Sequence, residues 1–546
     1  MKIMKKFVLL SMILLLAGNN DLIAQGNEID AFTLSNTELG GTARSMAMGG
    51  AFGALGGDLS VISNNPAGLG IYRSSEVSGT FDFSSVKTST NWMGTTTGRD
   101  KMRFAPNNFA FSIYFPTSSD GIRNWSFGFS YNRLKNFKRS YTMTSSKGQT
   151  YSMADYAAWQ ASNAFGYGNG LTLDELTYTN SYDPYTNSNL SGNWLPILGF
   201  ESGMYDHFSG NRNEYQSAFG WDRDGQWFID SPTRSQLRVN ENGNMDEYNI
   251  GLGFNVSNFL YFGASISITD IDYRYSSFYD DVFANNNHSK PDYLYLENKL
   301  NTKGTGVSAN FGAILNLQVL RLGVAYNSPR YYDMTDYYAA WAETEIQGYE
   351  EPMMESNTPE DSYSEYRFRT PQKWIFSSAI VLGQSAIFSV DYELTDYQKM
   401  QFIERNGDTG FPANDFIKED YSYSHTLKLG AEIKPTPRFA LRAGYMMQTS
   451  PMSDALIHND VEVLPAGTIP HFTVTSKPTH YYTAGLGYRF TPNFYMDLAL
   501  IYRTNKASAY AFSNTYSNRE TVDIYADPAN LKNKTTRLAL TLGYKF

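Results

Sequence analysis

Aromatic side chains in two similar segments are the residues of this chain best suited to binding an apolar ligand. Segments 152–161 and 336–343 both combine Asp, Tyr, Ala and Trp, and both fall in long connections that we predict to be external loops. Good helix formers, and in the first segment a serine at the cap position, predict a short helix in each. Exposed rings there would receive an apolar ligand; alternatively, the two helices pack on each other as a lid. The predicted ligand-capture residues are Tyr156, Trp159, Tyr337, Tyr338 and Trp341.

The histidines and loop carboxylates form no recognisable metal or catalytic motif. The 6 histidines fall mostly in or beside the predicted external loops without metal-ligand spacing, and no Gly-x-Ser-x-Gly element occurs. We therefore predict no catalytic residues, no metal site, no cofactor and no enzyme activity. Haem capture by a loop histidine remains an alternative, as does a hydrolase whose groups come from distant strands.

The elements that must position these residues are strands with a strict two-residue period. In the last of them, Leu538, Leu540 and Leu542 share one face, while Arg537 and Thr541 lie on the other. From Glu76 onward we count fourteen such segments, joined by six short and seven long connections, so that both ends lie on the periplasmic side. The long connections, of which residues 88–106 are the first, are predicted to be external loops. The sequence thus predicts an all-β fold, a 14-stranded antiparallel transmembrane β-barrel.

Charged residues occur on the inward faces of the predicted strands. They could line an ion-selective channel, but paired charges that hold a plug are favoured, because an unpaired buried charge is costly. These residues are Asp391, Glu393, Lys428, Glu432, Arg442, Arg489, Asp497, Arg503, Arg537 and Lys545.

The chain before the first strand divides into two parts. Residues 1–24 contain three lysines followed by an apolar run and end at Ala24, which predicts a secretory signal peptide. Residues 25–75 lack strand alternation and are rich in glycine, alanine and serine. Fourteen strands enclose more space than their own side chains fill. We therefore expect residues 25–75 to form a small helical hatch that plugs the barrel, formed by residues 76–546 with its largest external loop at 145–234.

Composition excludes several other classes of protein. There are 0 cysteines, which excludes a disulfide scaffold, a thiolate metal site and a lipoprotein anchor at this signal. The net charge of −10 and the lack of a basic patch argue against a nucleic-acid partner. The 41 tyrosines and 35 phenylalanines are typical of a barrel with aromatic girdles at two membrane interfaces.

The residues Asn65-Pro66-Ala67, just before the first strand, resemble the hatch motif of the FadL/TodX family of outer-membrane transporters. Other stretches agree in order, among them Tyr326-Asn327-Ser328-Pro329 and Arg442-Ala443-Gly444-Tyr445. The similarity extends from about Phe32 to Phe546. It implies an integral protein of the bacterial outer membrane, in contact with membrane lipid and lipopolysaccharide.

The resemblance also implies a mechanism. A hydrophobic small molecule, by default a long-chain fatty acid, would land on the external loops and move to a pocket above the hatch. It would leave sideways, without an energy source, through a gap made by a kink in the third strand, which we place within residues 125–144. The loop at 145–234 is unusually long for the family. A second hypothesis is therefore a scaffold for a protein partner, resembling the FadL-like shuttle component of the type IX secretion system.

Overall fold

The computed structural model describes most of the chain after the predicted signal peptide. It covers residues 26–546 except 119–120, 165–167, 178–193, 208–212, 224–225, 286–287, 349, 359–362, 468 and 517–521. The signal-peptide prediction therefore lies outside the described residues.

The dominant element is one closed antiparallel barrel of 14 strands. Several strands are interrupted and consist of two pieces. The strands are β1 Glu76–Trp92, β2 Thr95–Pro116, β3 Ile122–Asn136 and Arg139–Ser145, β4 Arg234–Val256, β5 Leu260–Phe283, β6 Asp292–Leu317, β7 Leu320–Asn327 and Tyr331–Glu345, β8 Tyr363–Arg369 and Lys373–Leu382, β9 Ala386–Asp396 and Gln401–Ile403, β10 Tyr423–Thr436, β11 Phe439–Gln448, β12 Phe472–Thr475 and Thr479–Arg489, β13 Phe494–Tyr510, and β14 Ala529–Lys545.

Pairing of the first strand with the last closes the barrel. Glu76 of β1 lies opposite Lys545 of β14, and the ladder continues to Trp92 opposite Ala529. The period-2 pattern sets the two surfaces: Ile266 is 64% exposed on the lipid side, and its neighbour Ser267 is fully buried on the lumen side. The closed ladder pairs the backbone groups that lipid cannot satisfy. The predicted fold class is confirmed.

The N-terminal segment, residues 26–75, lies against the lumen side of the wall. Its helices are α1 Glu28–Ser35, α2 Ala43–Ala47 and α3 Val61–Asn64, followed by a 3₁₀ helix at Pro66–Ile71. The hydroxyl of Thr483 on β12 donates to the carbonyl of Ala47 at 2.9 Å, and the hydroxyl of Ser265 on β5 donates to the carbonyl of Ile62 at 2.9 Å. Bonds from opposite sides of the barrel thus hold this segment.

The external ends of the strands and the loops form a separate apolar core, which we call the cap. Trp194, Leu198 and Tyr205 from the long loop pack there with Leu237 of β4 and Leu296 of β6. The loop helices are α4 Met153–Ser162, α5 Leu173–Leu176, α6 Leu195–Glu201, α7 Ala413–Asp420 and α8 Asp454–Ile457, with a 3₁₀ turn at Tyr397–Lys399. The remaining loop strands are Tyr205–His207, Tyr215–Ser217, Gly220–Arg223, Gln226–Ile229, Met353–Asn357, Thr515–Tyr516 and Val522–Ile524. None of the described helices has the length and hydropathy needed to span a bilayer.

The structure corrects two of the predicted loops. The helix predicted within 152–161 is confirmed as α4, but 336–343 is not a helix; it belongs to β7, where it pairs with β6. Residues 88–106, predicted to be an external loop, form the ends of β1 and β2 around a two-residue turn. In both places the strands continue past the membrane-spanning length, because a neighbouring strand supplies hydrogen-bond partners along the whole extension.

Candidate functional site

The motif Asn65-Pro66-Ala67 joins two parts of the N-terminal segment. Asn65 is buried, and its side-chain oxygen accepts from the backbone N–H of Ala67 at 3.2 Å. It thereby caps the 3₁₀ helix, whose first residue is Pro66, as expected for Asn and Pro at a helix start. The side-chain nitrogen of Asn65 donates to the carbonyl of Gly53 at 2.6 Å. One side chain therefore fixes a turn and ties it to an earlier loop.

Glycines in the barrel wall allow this motif to touch the strands. A Cβ on Gly312 of β6 would overlap the side-chain oxygen of Asn65, and a Cβ on Gly263 of β5 would overlap the carbonyl of Pro66. Glycine within a strand often marks such a close backbone approach. The wall is shaped to receive the motif.

A buried chain of charges fastens the segment at the opposite side of the barrel. Arg44 of α2 binds the carboxylate of Glu432 on β10 through two nitrogens, at 2.9 and 3.0 Å. Arg442 of β11 donates to the same carboxylate at 2.6 Å and to Asp497 of β13 at 2.6 Å. Such bidentate, charge-assisted bonds are strong and directional. They define the position of α2 in the lumen.

Most of the inward charges singled out in the sequence are paired, as predicted. Lys428 binds Glu393, Lys545 lies 3.2 Å from Glu76, and Arg503 binds Glu38 of the N-terminal segment. Arg537 donates to Asp82 at 2.7 Å and to the carbonyl of Leu39 at 2.6 Å. Asp391 accepts from the backbone of Gly53 at 2.9 Å. Arg489 is exposed and forms no ion pair with any described residue.

The barrel wall is interrupted between β2 and β3. Their ladder runs only from Asn108 opposite Asn132 to Pro116 opposite Asn124. Beyond it, β3 stops at Asn136 and resumes at Arg139, and residues 95–107 of β2 have no ladder partner on that side among the described strands. At the interruption, Phe137 is buried and packs on Tyr273, 4.7 Å between ring centroids. Residues 137–138 lie within the range 125–144 in which the kink is expected.

Two cavities lie between the N-terminal segment and the wall. The central cavity, about 110 Å³, is lined by Asn64, Arg133 and Arg330 among others. The wall cavity, about 160 Å³, lies at the interruption and is lined by residues including Phe137 and Lys138. Glu38 and Gln448 line both cavities. The stretch of chain around Glu38 therefore separates them.

The long-loop capture candidates are part of the cap. Tyr156 of α4 is buried, stacks on Phe512 with ring centroids 5.0 Å apart, and accepts a hydrogen bond from Gln160 at 2.7 Å. Trp159 is half-buried, and its indole N–H donates to Asp523 at 3.1 Å. These contacts anchor α4 in the cap.

The other candidates lie on β7 and point in two directions. Tyr337 is 49% exposed on the outer surface, whereas Tyr338 is buried and donates to Asn298 at 3.1 Å. Trp341 is half-buried and packs edge-on against Tyr295 at 5.2 Å. Among the described residues, no aromatic contact joins this group to Tyr156 or Trp159. The structure does not bring the candidates together as one aromatic patch.

Burial changes the proton affinity of two carboxyl groups outside the strands. Desolvation raises the pKa of Asp30 in α1 to about 7, with a further contribution from the nearby negative charges of Asp336 and Glu241. Desolvation also raises the pKa of Asp155 in α4 to about 6, against the opposing effect of hydrogen bonds from Ser152. Asp30 therefore changes its charge near neutral pH.

Comparison with known proteins places this architecture. Residues 244–546 match the family model described as outer membrane protein transport protein (OMPP1/FadL/TodX). A FadL homologue from Pseudomonas aeruginosa superposes with a TM-score of 0.50 at 11% identity, over 93% of this chain and 99% of that one, and so shares the fold. The toluene transporter TodX of Pseudomonas putida gives 0.47 at 12% identity, over 93% and 99%. No curated protein sequence matches the chain.

The family model covers more than half of the chain and includes every strand from β5 to β14. The closed barrel agrees with it, since only closed barrels or helices span a bilayer. The chain therefore belongs to the OMPP1/FadL/TodX family of outer-membrane transport proteins and is an integral protein of the outer membrane.

Proposed function

We propose that this protein carries hydrophobic small molecules, by default fatty-acid-like compounds, passively across the outer membrane. The observation that carries this proposal is a barrel whose lumen holds the N-terminal segment while its wall is interrupted between β2 and β3. In this proposal residues 25–75 act as the hatch, and Asn65, Pro66 and Ala67 form its anchored base. No catalytic step is involved.

The ligand would pass from the cap to the central cavity, then to the wall cavity, and leave sideways past Phe137 into the membrane. The two cavities, about 110 and 160 Å³, are smaller than the roughly 300–1,000 Å³ of ordinary ligand pockets. Passage then requires the chain around Glu38 to move and join them. Polar bonds hold this stretch, notably Arg503 to Glu38 and Gln448 to Asn36 at 3.3 Å. Bonds of this kind re-form readily, which suits a gate.

The ligand-capture candidates differ in how accessible they are to an arriving ligand. Tyr337, Trp159 and Trp341 have surface within reach of an arriving ligand, whereas Tyr156 and Tyr338 are covered by the cap. Phe32 of α1 packs on Tyr421 at 5.8 Å and belongs to the same apolar core as the cap. Loop opening would therefore be transmitted to the N-terminal segment through α1.

Uptake measurements with a reversible lock test the proposal. The natural chain has 0 cysteines, so cysteines introduced at Asn36 and Gln448, whose side chains meet in the wild type, are the only thiols available for a disulfide. Cells with the wild-type protein should take up labelled palmitate faster than cells without it. The oxidised variant should be slow, and reduction should restore the wild-type rate.

A second pair provides the matched control. Tyr482 and Tyr502 face each other across β12 and β13, where the ladder is continuous, so a disulfide there should leave uptake unchanged. Equal uptake with and without the protein, for palmitate and for neutral apolar compounds alike, would refute transport. Full uptake by the oxidised Asn36/Gln448 variant would refute the proposed movement of the chain around Glu38, but not transport itself.

A further inference from the structure

Four lysines lie close together on the outer surface of three neighbouring strands, and we call them the lysine cluster. They are Lys87 of β1, Lys506 of β13, and Lys532 and Lys534 of β14, and all four are exposed. The two lysines of β14 share the face that carries Leu538, which is exposed to lipid. The lysine cluster therefore belongs to the outside of the barrel and points away from the lumen.

The strand register places these lysines opposite each other in two pairs of like charge. Lys87 is the cross-strand partner of Lys534, and Lys506 is the partner of Lys532. Directly opposed side chains have Cβ atoms about 4.5–5.5 Å apart, and like charges at that separation destabilise a sheet. Lys87 lies 3.9 Å from Asp100, whereas the other three lysines form no ion pair with any residue that the structure describes. Most of this positive charge is thus uncompensated within the protein.

The corresponding surface on the far side of the barrel carries charges of both signs. Lys303 of β6 is the cross-strand partner of Asp272 on β5, and Asp272 also binds Arg274. Arg367 of β8 lies 3.2 Å from Asp333 of β7. Basic residues there have acidic partners, in contrast to the facing lysines of β13, β14 and β1.

The lysine cluster begins where the apolar surface of the barrel ends. On β14 the outward side chains from Tyr544 to Leu538 are uncharged and mostly apolar, and Thr536 and Lys534 follow them. The 10 residues from Tyr544 to Lys534 span about 34 Å of strand, or about 26 Å along the membrane normal at a tilt of about 40°. Because the apolar band of such a barrel is about 25 Å tall, Lys534 lies at the level of the outer-leaflet head groups.

The lysines and their neighbours match a lipid head group that carries phosphate on a sugar. Clustered lysines at a membrane surface attract anionic head groups, and two facing ammonium groups can donate to one phosphate. Hydroxyl and amide side chains flank the cluster on the same outward face and suit the hydroxyl groups of a sugar; these are Ser89, Asn91, Thr504 and Asn530. The outer-leaflet lipid with this chemistry is lipopolysaccharide.

We propose that the outward surface of β13, β14 and β1 binds the phosphorylated head group of lipopolysaccharide through the lysine cluster, with Lys532 and Lys534 at its centre. The bound phosphate offsets the repulsion between the facing lysines and so stabilises this part of the barrel. The site depends on the outer-membrane location of the chain and not on the proposed transport of hydrophobic compounds.

Calorimetric binding to the purified full-length protein in a neutral detergent tests this site. The probes are bisphosphorylated lipid A and the same lipid with its phosphates removed. We expect the wild type to bind the phosphorylated form at least about tenfold more tightly at low salt, and added salt should reduce the difference. Lys532→Gln combined with Lys534→Gln should bring the two affinities close together, because each pair of facing lysines then keeps only one cation.

Lys299→Gln combined with Lys303→Gln is the matched control, because it removes the same charge from exposed positions of β6. It should keep the wild-type preference. Equal binding of both forms of lipid A to the wild type would overturn the proposal, as would an equal loss of preference in the control. Inorganic phosphate that binds as tightly as phosphorylated lipid A would overturn it as well, because the site would then be one for free anions.

Thermal unfolding in the same detergent tests the proposed stabilisation. Without lipid, the variant with both Lys532→Gln and Lys534→Gln should unfold at the wild-type temperature or above it, because it has lost like-charge repulsion. With phosphorylated lipid A, the wild type should gain stability and the variant should gain little, since a ligand stabilises the state that it binds. A wild type that gains no more than the variant would contradict the proposal.

Discussion

Removal of Arg44 should loosen the N-terminal segment. The other partners of Glu432 determine by how much. Arg44 contributes two of the hydrogen bonds to this carboxylate, and Arg442 contributes another at 2.6 Å. Arg44→Ala therefore leaves Glu432 partly neutralised. Glu432→Ala, in contrast, leaves Arg44 without its carboxylate and leaves Arg442 with Asp497 alone.

Truncating one partner of a buried charge pair costs about 2–5 kcal/mol. For Arg44→Ala we expect the lower end, about 2 kcal/mol, which is a roughly thirtyfold rise in the detached population. For Glu432→Ala we expect about 4 kcal/mol, or roughly a thousandfold, because Arg44 is left without a carboxylate and Arg442 keeps only Asp497. Lys434 lies 3.4 Å from the same carboxylate and is 36% exposed, so Lys434→Gln should cost under about 1 kcal/mol.

Hydrogen exchange of residues 43–57 measures the detached population directly, since the exchange rate of a protected amide follows the opening equilibrium. The order of rates should be Glu432→Ala, Arg44→Ala, Lys434→Gln and wild type, fastest first. Exchange in Arg44→Ala as slow as in the wild type would refute the reasoning. So would a Lys434→Gln variant that exchanges as fast as Arg44→Ala.

Three further outcomes are expected. Gly312→Ala should lower the thermal midpoint, by a cost of about 1–3 kcal/mol, because the new Cβ overlaps Asn65. Gly98→Ala should leave the thermal midpoint unchanged, because nothing lies near the added Cβ. Equal midpoints for the two variants would contradict the contact between Gly312 and Asn65. Asn65→Ala should cost about 1 kcal/mol, because the 3₁₀ helix loses the hydrogen bond from its N-terminal capping residue, and should speed amide exchange in that helix. Unchanged exchange would contradict this. The folded state raises the pKa of Asp30, so it favours the protonated form, and protection of α1 should fall as pH rises from about 4 to about 7. Asp30→Asn should abolish this slope in exchange measurements, and a slope that persists would rule out Asp30 as its source.

The barrel could be predicted from the sequence because lipid and lumen impose opposite demands on alternate residues. Leu538 is exposed to lipid and Arg537 is buried against the lumen, as their alternation predicts. The pairing of inward charges followed from the cost of leaving them unpaired. The identity of each partner could not be predicted, because residues such as Glu38 and Arg503 are far apart in sequence and meet only in the folded barrel.

The candidate site was harder to predict because local propensity and ladder pairing disagree there. Residues 336–343 have the composition of α4, yet the partner strand β6 makes them part of β7. The loop prediction for residues 88–106 is wrong because these residues extend two strands, and Arg99, Lys101 and Arg103 lie on the second of them. Their two-residue spacing was the available signal, since it predicts a strand with three cations on one face.

Closing the interruption between β2 and β3 tests the central claim most directly. Cysteines introduced at Met102 and Lys138, which contact each other across the gap, can be joined by a cleavable bismaleimide in intact cells. Uptake of labelled palmitate should stop when the link forms and return when it is cleaved, while the same reagent on a Tyr482/Tyr502 cysteine pair should have no effect. Undiminished uptake with the gap fully cross-linked would contradict lateral exit through this wall.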